Sequence, residues 1–211
     1  MVPAITLSLA LTNLVVHNLM SWIPESLVDC SSRCFHNTSC SSFFYNQGHG
    51  TCNLNTVVYS AVSDTLTPLD GVLYYEWKHE GCDESAGRTF QRASWLCFYG
   101  VQIAMTHSSA QASCSLLTAN TQSKVDQAYI IASRYGERQW IGGHLSSGIW
   151  KWTSGKSFGD FLAWSGAHPI QGRDCMAAQI AKPNWGSDVC ASARWYICEV
   201  SIPQETSYCN Y

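Results

Sequence analysis

Charge is scarce in this chain: Asp, Glu, Lys and Arg together make up 13% of its 211 residues, and the formal net charge is −3. No basic stretch is available to neutralise phosphates, which excludes nucleic acid as a partner and gives no footprint for an anionic membrane. No Lys or Arg precedes Arg33. Long apolar runs are missing too. The most apolar stretch, from Val2, is interrupted by Pro3, Asn13, His17 and Asn18 and falls short of the roughly 20 residues that a spanning helix needs. The seven histidines are scattered, and no G-x-S-x-G, H-E-x-x-H or glycine-rich phosphate loop occurs. Asp83 and Glu84, adjacent in a hinge, read as solvated charge. Nothing here supports an enzyme, and no cofactor is implied. There is no internal repeat and no low-complexity segment.

Cysteine and aromatic residues, by contrast, are abundant. The chain has eleven Cys, 9 Trp, 10 Tyr and 7 Phe, and 46% of its residues are hydrophobic, enough to build real cores. No C-x-x-C pair of pairs and no His pair sits at zinc-ligand spacing, so disulfides in an oxidising compartment account better for the cysteines than a metal does. The expectation is a secreted, extracellular protein. Cys209 is the odd cysteine, in the tail IPQETSYCNY. It makes an interchain disulfide, is capped by a small molecule, or has lost a partner lying upstream.

The N-terminus admits two readings. Val2 to Leu11 is apolar enough for the core of a secretory signal, with Ser8-Leu9-Ala10 as a weak cleavage site, but lacks the usual preceding basic residue. Alternatively Leu14 to Leu19 is the first strand of a folded domain, and the signal lies upstream. Residues 1–13 are therefore either a leader or an upstream strand.

The cysteines fall into two groups, Cys30 to Cys52 and Cys82 to Cys198, with a charged, Gly-containing hinge near His79 between them. In the first half, Ser41 to Tyr45, Thr51 to Tyr59 and Val72 to Trp77 read as β-rich, with turn chemistry at Asn46-Gln47-Gly48. Pro24 to Cys34 reads as a helix with Pro24 in its first turn, placing Leu27, Cys30 and Cys34 on one face. In the second half, Thr89 to Phe98 reads as strand and Ser108 to Leu117 as helix. A second helix starts at Ser123, whose spacing to Asp126 makes a capping box, and ends at Gly136. Short strands and long loops follow Gln139. Such loops need disulfides, each contributing on the order of 3 kcal/mol for a loop of about 15 residues.

The run SLVDCSSRCFHNTSCSSFFYNQGHGTCNL, with its C-x3-C, C-x-x-F-x-Y and C-x-L elements, resembles the PAN (apple-like) family over about residues 12–78. The resemblance implies a helix tied to a sheet by Cys30–Cys52 and Cys34–Cys40; the extra outer pair of apple domains has no counterpart. Asn37-Thr38-Ser39 is the single N-x-[ST] sequon and lies between Cys34 and Cys40, so Asn37 is a candidate for glycosylation.

The second half carries WIGG (Trp140 to Gly143), W-x-W (Trp150, Trp152) with Gly155, Trp164, Pro169, Cys175, Trp185, Cys190 and ICE (Ile197 to Glu199). In that order these motifs resemble a C-type lectin-like domain over about residues 82–200. The resemblance implies Cys114–Cys198, Cys175–Cys190 and, for the long form, Cys82–Cys97. Calcium-dependent members of that family use a Glu-Pro-Asn or Gln-Pro-Asp triplet and a Trp-Asn-Asp triplet, because Ca²⁺ needs 6 to 8 oxygen ligands. Here those triplets read His168-Pro169-Ile170 and Trp185-Gly186-Ser187, with Asp188 one place later and Asp174 nearby. Imidazole, isoleucine and glycine side chains supply no oxygen, and two carboxylates do not make a calcium cage. Pro169 reads first as loop geometry. Trp140, Trp150, Trp152 and Trp185 read first as packing, with Trp164, Trp185 or Tyr196 as the alternatives for a sugar-stacking platform.

The reading is α+β: a disulfide-rich two-domain chain with a PAN-like helix-on-sheet module over 14–79, a C-type lectin-like fold over 80–201 and a tail over 202–211. The latter fold has two helices, small antiparallel sheets and a long loop region. Its implied activity is recognition of an extracellular protein or glycan without calcium, through His168, Pro169, Asp174, Trp185 and Asp188. The alternatives are a carbohydrate-binding lectin with an altered sugar site, and a structural component of an assembly, such as a Cys209-linked dimer.

Overall fold

The computed structural model describes residues 5–16, 22–59, 66–181 and 184–202. The chain forms two compact units. The first holds the described residues up to 59, Leu66–Cys97 and the chain from Val200; the second holds Phe98–Glu199.

The first unit is a five-stranded antiparallel sheet with one helix. Its strands are β1 (Ile5–Val16), β2 (Ile23–Pro24), β3 (Ser42–Asn46), β4 (Thr51–Asn55) and β5 (Leu66–His79), in the order β1-β5-β3-β4-β2. Side chains alternate across a strand, so β3 feeds two cores. Phe43 packs with Trp77 and the cysteines of the helix, whereas Phe44 packs with Leu66, Val72 and Tyr74. The β3–β4 turn follows Asn46, whose side chain accepts the backbone N–H of His49 at 3.1 Å.

Helix α1 (Leu27–His36) starts later than the sequence suggests. Ser26 caps it, accepting the N–H of Asp29 at 3.1 Å, while Pro24 pairs with Thr51 in the sheet. Cys30 and Cys34 lie fully buried on one face of α1, joined to Cys52 and Cys40. β1 covers part of both N-terminal readings by running antiparallel to β5 from Ile5↔His79 to Val16↔Leu66; residues 17–19 lie outside the described residues.

Segment 80–97 belongs to the first unit. A 3-10 turn at Glu84–Ala86, β6 (Thr89–Gln91) and a second 3-10 turn at Arg92–Ser94 are held by the disulfide Cys82–Cys97. The single strand expected from Thr89 to Phe98 is thus broken at Arg92, and strand β7 (Leu96–Met105) runs on much further. Arg92 explains the break. Its guanidinium donates to the carbonyls of Cys34 (3.0 Å), Phe35 (2.7 Å), Asn37 (3.1 Å) and Cys40 (3.3 Å). These are orphan acceptors at and beyond the C-terminal end of α1, where a cation also meets the negative end of the helix dipole. The same group lies 5.1 Å from the Trp77 ring centroid and 5.8 Å from that of Phe35.

The second unit continues β7 and adds α2 (His107–Ser113), α3 (Gln122–Tyr135), β8 (Gln139–Ser146), β9 (Ile149–Trp152), β10 (Cys175–Ala178), β11 (Trp185–Asp188) and β12 (Arg194–Val200). Within it the strand order is β11-β10-β8-β12-β7, with β9 on β8. β8 and β12 run parallel, Trp195 opposite Gln139. Helix α2 stops at Ser113, short of the expected Leu117, because Cys114 turns extended to reach Cys198 and Leu116 bridges that residue. α3 is capped by Thr121, which accepts from Lys124 N–H at 3.4 Å, rather than by Ser123; it ends at Gly136, φ 61°. On β8, a Cβ at Gly143 would come within 2.7 Å of the Met176 side chain, so glycine is what lets β8 and β10 approach.

Candidate functional site

The long loop between β9 and β11 is anchored at Trp185. Its ring is 0% exposed and meets Phe158, Phe161, Trp152 and Trp164 at centroid separations of 5.2–5.7 Å. The backbone joins in: Trp185 N–H donates to Ala163 O and Ser165 N–H donates to Trp185 O, both at 2.8 Å. Trp185 has no ring face left for a ligand; burial makes it the hub that holds the loop. Tyr196 is buried as well, its hydroxyl accepting from Ser113 at 3.0 Å. Of the three aromatics offered as platforms, Trp164 alone is half-buried.

The residues at the two calcium-type triplets are brought together, and they bond to one another. His168 precedes Pro169 across a cis peptide. His168 Nδ1 accepts the backbone N–H of Ser187 at 2.9 Å and lies 3.1 Å from its hydroxyl. That hydroxyl oxygen accepts the N–H of Ile170 at 2.7 Å. An Nδ1 that accepts an N–H carries its proton on Nε2, so the imidazole is neutral. Partial burial pushes the His168 pKa down, the positive charges of Arg138 and Arg173 push it further, and Asp188 opposes them.

Asp188 is 5% exposed, and its carboxylate is already engaged. One oxygen accepts Val189 N–H at 2.8 Å; the other is ion-paired with Arg194 and lies 3.6 Å from Arg138. Asp174 is exposed at the start of β10, where its carbonyl accepts Leu145 N–H at 2.7 Å. Among the described residues neither Asp174 nor Asp188 belongs to a cluster of three metal-ligating side chains. Among the described residues the metal-type cluster is Glu25 with Cys30 and Cys52, whose sulfurs are locked in a disulfide. At Gly186 a Cβ would lie 1.5 Å from Gln179 Nε2, so the buried Gln179 side chain occupies the space of any residue-186 side chain.

Cys175–Cys190 closes the β10–β11 hairpin, and Cys114–Cys198 ties the end of α2 to β12. Asn37 caps α1 and is exposed, with Oδ1 accepting Ser39 N–H at 3.0 Å. Cys209 lies outside the described residues. Arg138, Arg194 and Gln179 were not foreseen as parts of the site. No motif marks them, since their positions matter only once β8, β10 and β12 lie side by side.

No helix among the described residues is long and apolar enough to cross a membrane. No match was found among the curated proteins. Among solved structures, human lithostathine superposes with a TM-score of 0.48 at 19% identity, covering 55% of this chain and 98% of its own. A calcium-independent type II antifreeze protein gives 0.46 at 26% identity, covering 55% and 92%. The C-type lectin CEL-I from Cucumaria echinata gives 0.44 at 18% identity, covering 51% and 91%. Two family models match the chain, a PAN domain over residues 11–79 and a lectin C-type domain over residues 103–200.

Proposed function

We propose that this is a secreted recognition protein that binds an extracellular protein or glycan through the long loop of its lectin domain without calcium, the PAN domain adding a second contact. The carrying observation is the closed network of His168, Ser187 and Ile170, beside an Asp188 already held by two arginines. At the two triplet positions and Asp188, the groups that would have to ligate calcium are either not oxygen donors or already committed, and Asp174 alone does not make a site. Within this reading His168, Pro169 and Asp174 face the ligand, while the buried Asp188 and Trp185 act from beneath, Asp188 through its arginines and Trp185 as the loop anchor. By sequence the modules divide as 14–79 and 80–201, with residues 1–13 as leader or upstream strand and 202–211 as tail, although residues 80–97 pack with the first unit and Ile5–Val16 pairs with β5. The role is recognition rather than catalysis.

The test is a screen of the purified full chain against a glycan array and a library of secreted proteins, in EDTA, beside the His168→Ala and Asp188→Asn variants. Retention in EDTA that is weakened by both variants is expected. Binding that needs calcium would instead favour a sugar-binding lectin with an altered site. Two covalent features belong to the same reading. Asn37 is expected to carry a glycan after secretion from a eukaryotic cell, and intact-mass measurement showing it bare would remove that expectation. Cys209 is expected to link two chains, so a non-reducing gel showing only monomer would remove the disulfide-linked dimer.

A further inference from the structure

None of the long-loop residues lines the cavity of about 330 Å³ that the second unit also contains. Its walls are Ala104, Tyr135, Glu137, Ala193, Arg194 and Trp195. The topology explains the gathering. Tyr135 is the last residue of α3, the left-handed turn at Gly136 sets Glu137 just before β8, and Arg194 and Trp195 open β12, which runs parallel to β8. Tyr135 and Trp195 meet edge to face, their centroids 5.3 Å apart at 85°, and both remain half-exposed. The two alanines leave the space between these rings and the charged groups open.

The chemistry selects a ligand class. Arg194 already answers the buried Asp188, so its positive charge is matched, and Glu137 adds a negative one; a strongly anionic ligand finds no excess positive charge here. A cation fares no better, because the Arg134 guanidinium, 4.9 Å over the Tyr135 ring, offsets Glu137 and already lies on that ring. What remains is a neutral polyol. Its hydroxyls donate to the Glu137 carboxylate and accept from guanidinium N–H groups, while its C–H faces lie against aromatic carbon. The volume is at the small end of the ~300–1,000 Å³ range of ligand sites, which suits one ring rather than an extended chain. We propose that this cavity is a second binding site of the chain, for a single neutral hexose or N-acetylhexosamine.

The experiment is saturation-transfer NMR on the full chain in EDTA, with the methyl glycosides of glucose, galactose, mannose and N-acetylglucosamine as probes. At least one should receive saturation at its ring protons. Glu137→Gln, a change at an exposed side chain, should weaken that sugar about tenfold, as expected for losing a charged hydrogen bond. Trp195→Ala should abolish the transfer, with the melting temperature used to confirm folding. Saturation of none of the four sugars overturns the proposal, as does transfer that Glu137→Gln leaves intact. Transfer lost in His168→Ala but kept in Glu137→Gln assigns the sugar to the long loop and equally overturns it.

Discussion

The imidazole of His168 shows how one side chain alters the chemistry of a loop. As the base of a hydrogen bond from Ser187 N–H it must stay neutral, because a protonated Nδ1 would oppose that donor. His107 is held down by a different cause. Burial pushes its pKa down and His144 adds to the push, while its Nε2, 3.0 Å from the Ile141 carbonyl that accepts from it, opposes them. Both histidines therefore hold depressed pKa values in the folded state. The sign follows directly: the unfolded chain takes up protons first, near its ordinary value of about 6.5, so the folded state loses stability as pH falls below that value. The melting temperature is expected to fall between pH 7.5 and 5.5, and His107→Gln should flatten the slope. A melting temperature that stays level or rises on acidification over that range, in the parent chain, rejects the assignment.

Among the elements, α1 depends most on a residue remote in sequence. Its N-terminal cap is local and readable, Ser26 before Asp29, but its C-terminal carbonyls are satisfied by Arg92. Charged hydrogen bonds of this kind are worth about 1.5–3 kcal/mol each when removed, and their losses overlap. Arg92→Ala should destabilise the first unit by about 2–3 kcal/mol in chemical denaturation. Arg92→Lys should recover only part, since an ammonium cannot fork to four carbonyls or lie flat against Trp77. Equal stability of all three chains would contradict this role. The contrast between the two ends of α1 describes what was legible in the sequence. Cysteine spacing and tryptophan motifs marked the two stretches that the family models match, and Gly136 marked the end of α3, because these signals are carried by residues close in sequence. Thr121 was passed over for Ser123 because both precede a helical pattern by the right distance. The early end of α2 was hidden because the repeat of Ala110, Cys114 and Leu117 mimics a helix, although Cys114 is drawn into extended backbone by its partner 84 residues away. Around the long loop, the missing oxygen ligands could be read from His168, Ile170 and Gly186. That Asp188 is held by Arg138 and Arg194, and that Gln179 fills the space over Gly186, could not, because each needs strands far apart in the chain to be neighbours.

For the molecule as a whole, the deciding question is whether calcium takes part. A ligand that binds only the folded state raises stability by RT ln(1 + [L]/Kd). A site with a dissociation constant of about 0.1 mM would add roughly 2 kcal/mol at 5 mM calcium, a rise of several degrees for a domain of this size. The arrangement at β11 argues against such a site in three separate ways. The imidazole of His168 brings nitrogen where carboxylate oxygen is needed. Gln179 blocks a side chain at residue 186. Releasing Asp188 to a metal would leave Arg194, whose side chain is only 21% exposed, without its counter-ion. Melting temperatures in 5 mM calcium and in EDTA are therefore expected to agree within error, and mannose and galactose resins should retain nothing that EDTA elutes. Restoring Glu at His168, Asn at Ile170 and Asp at Ser187 should still fail to create a calcium response, because Gly186 cannot gain a side chain without displacing Gln179. A calcium-dependent rise of several degrees in the unmodified chain, together with EDTA-reversible retention on either resin, would falsify the calcium-independent reading. Asp174, Asp188 and backbone carbonyls would then have to rearrange into a site, and sugar recognition through that metal would take precedence.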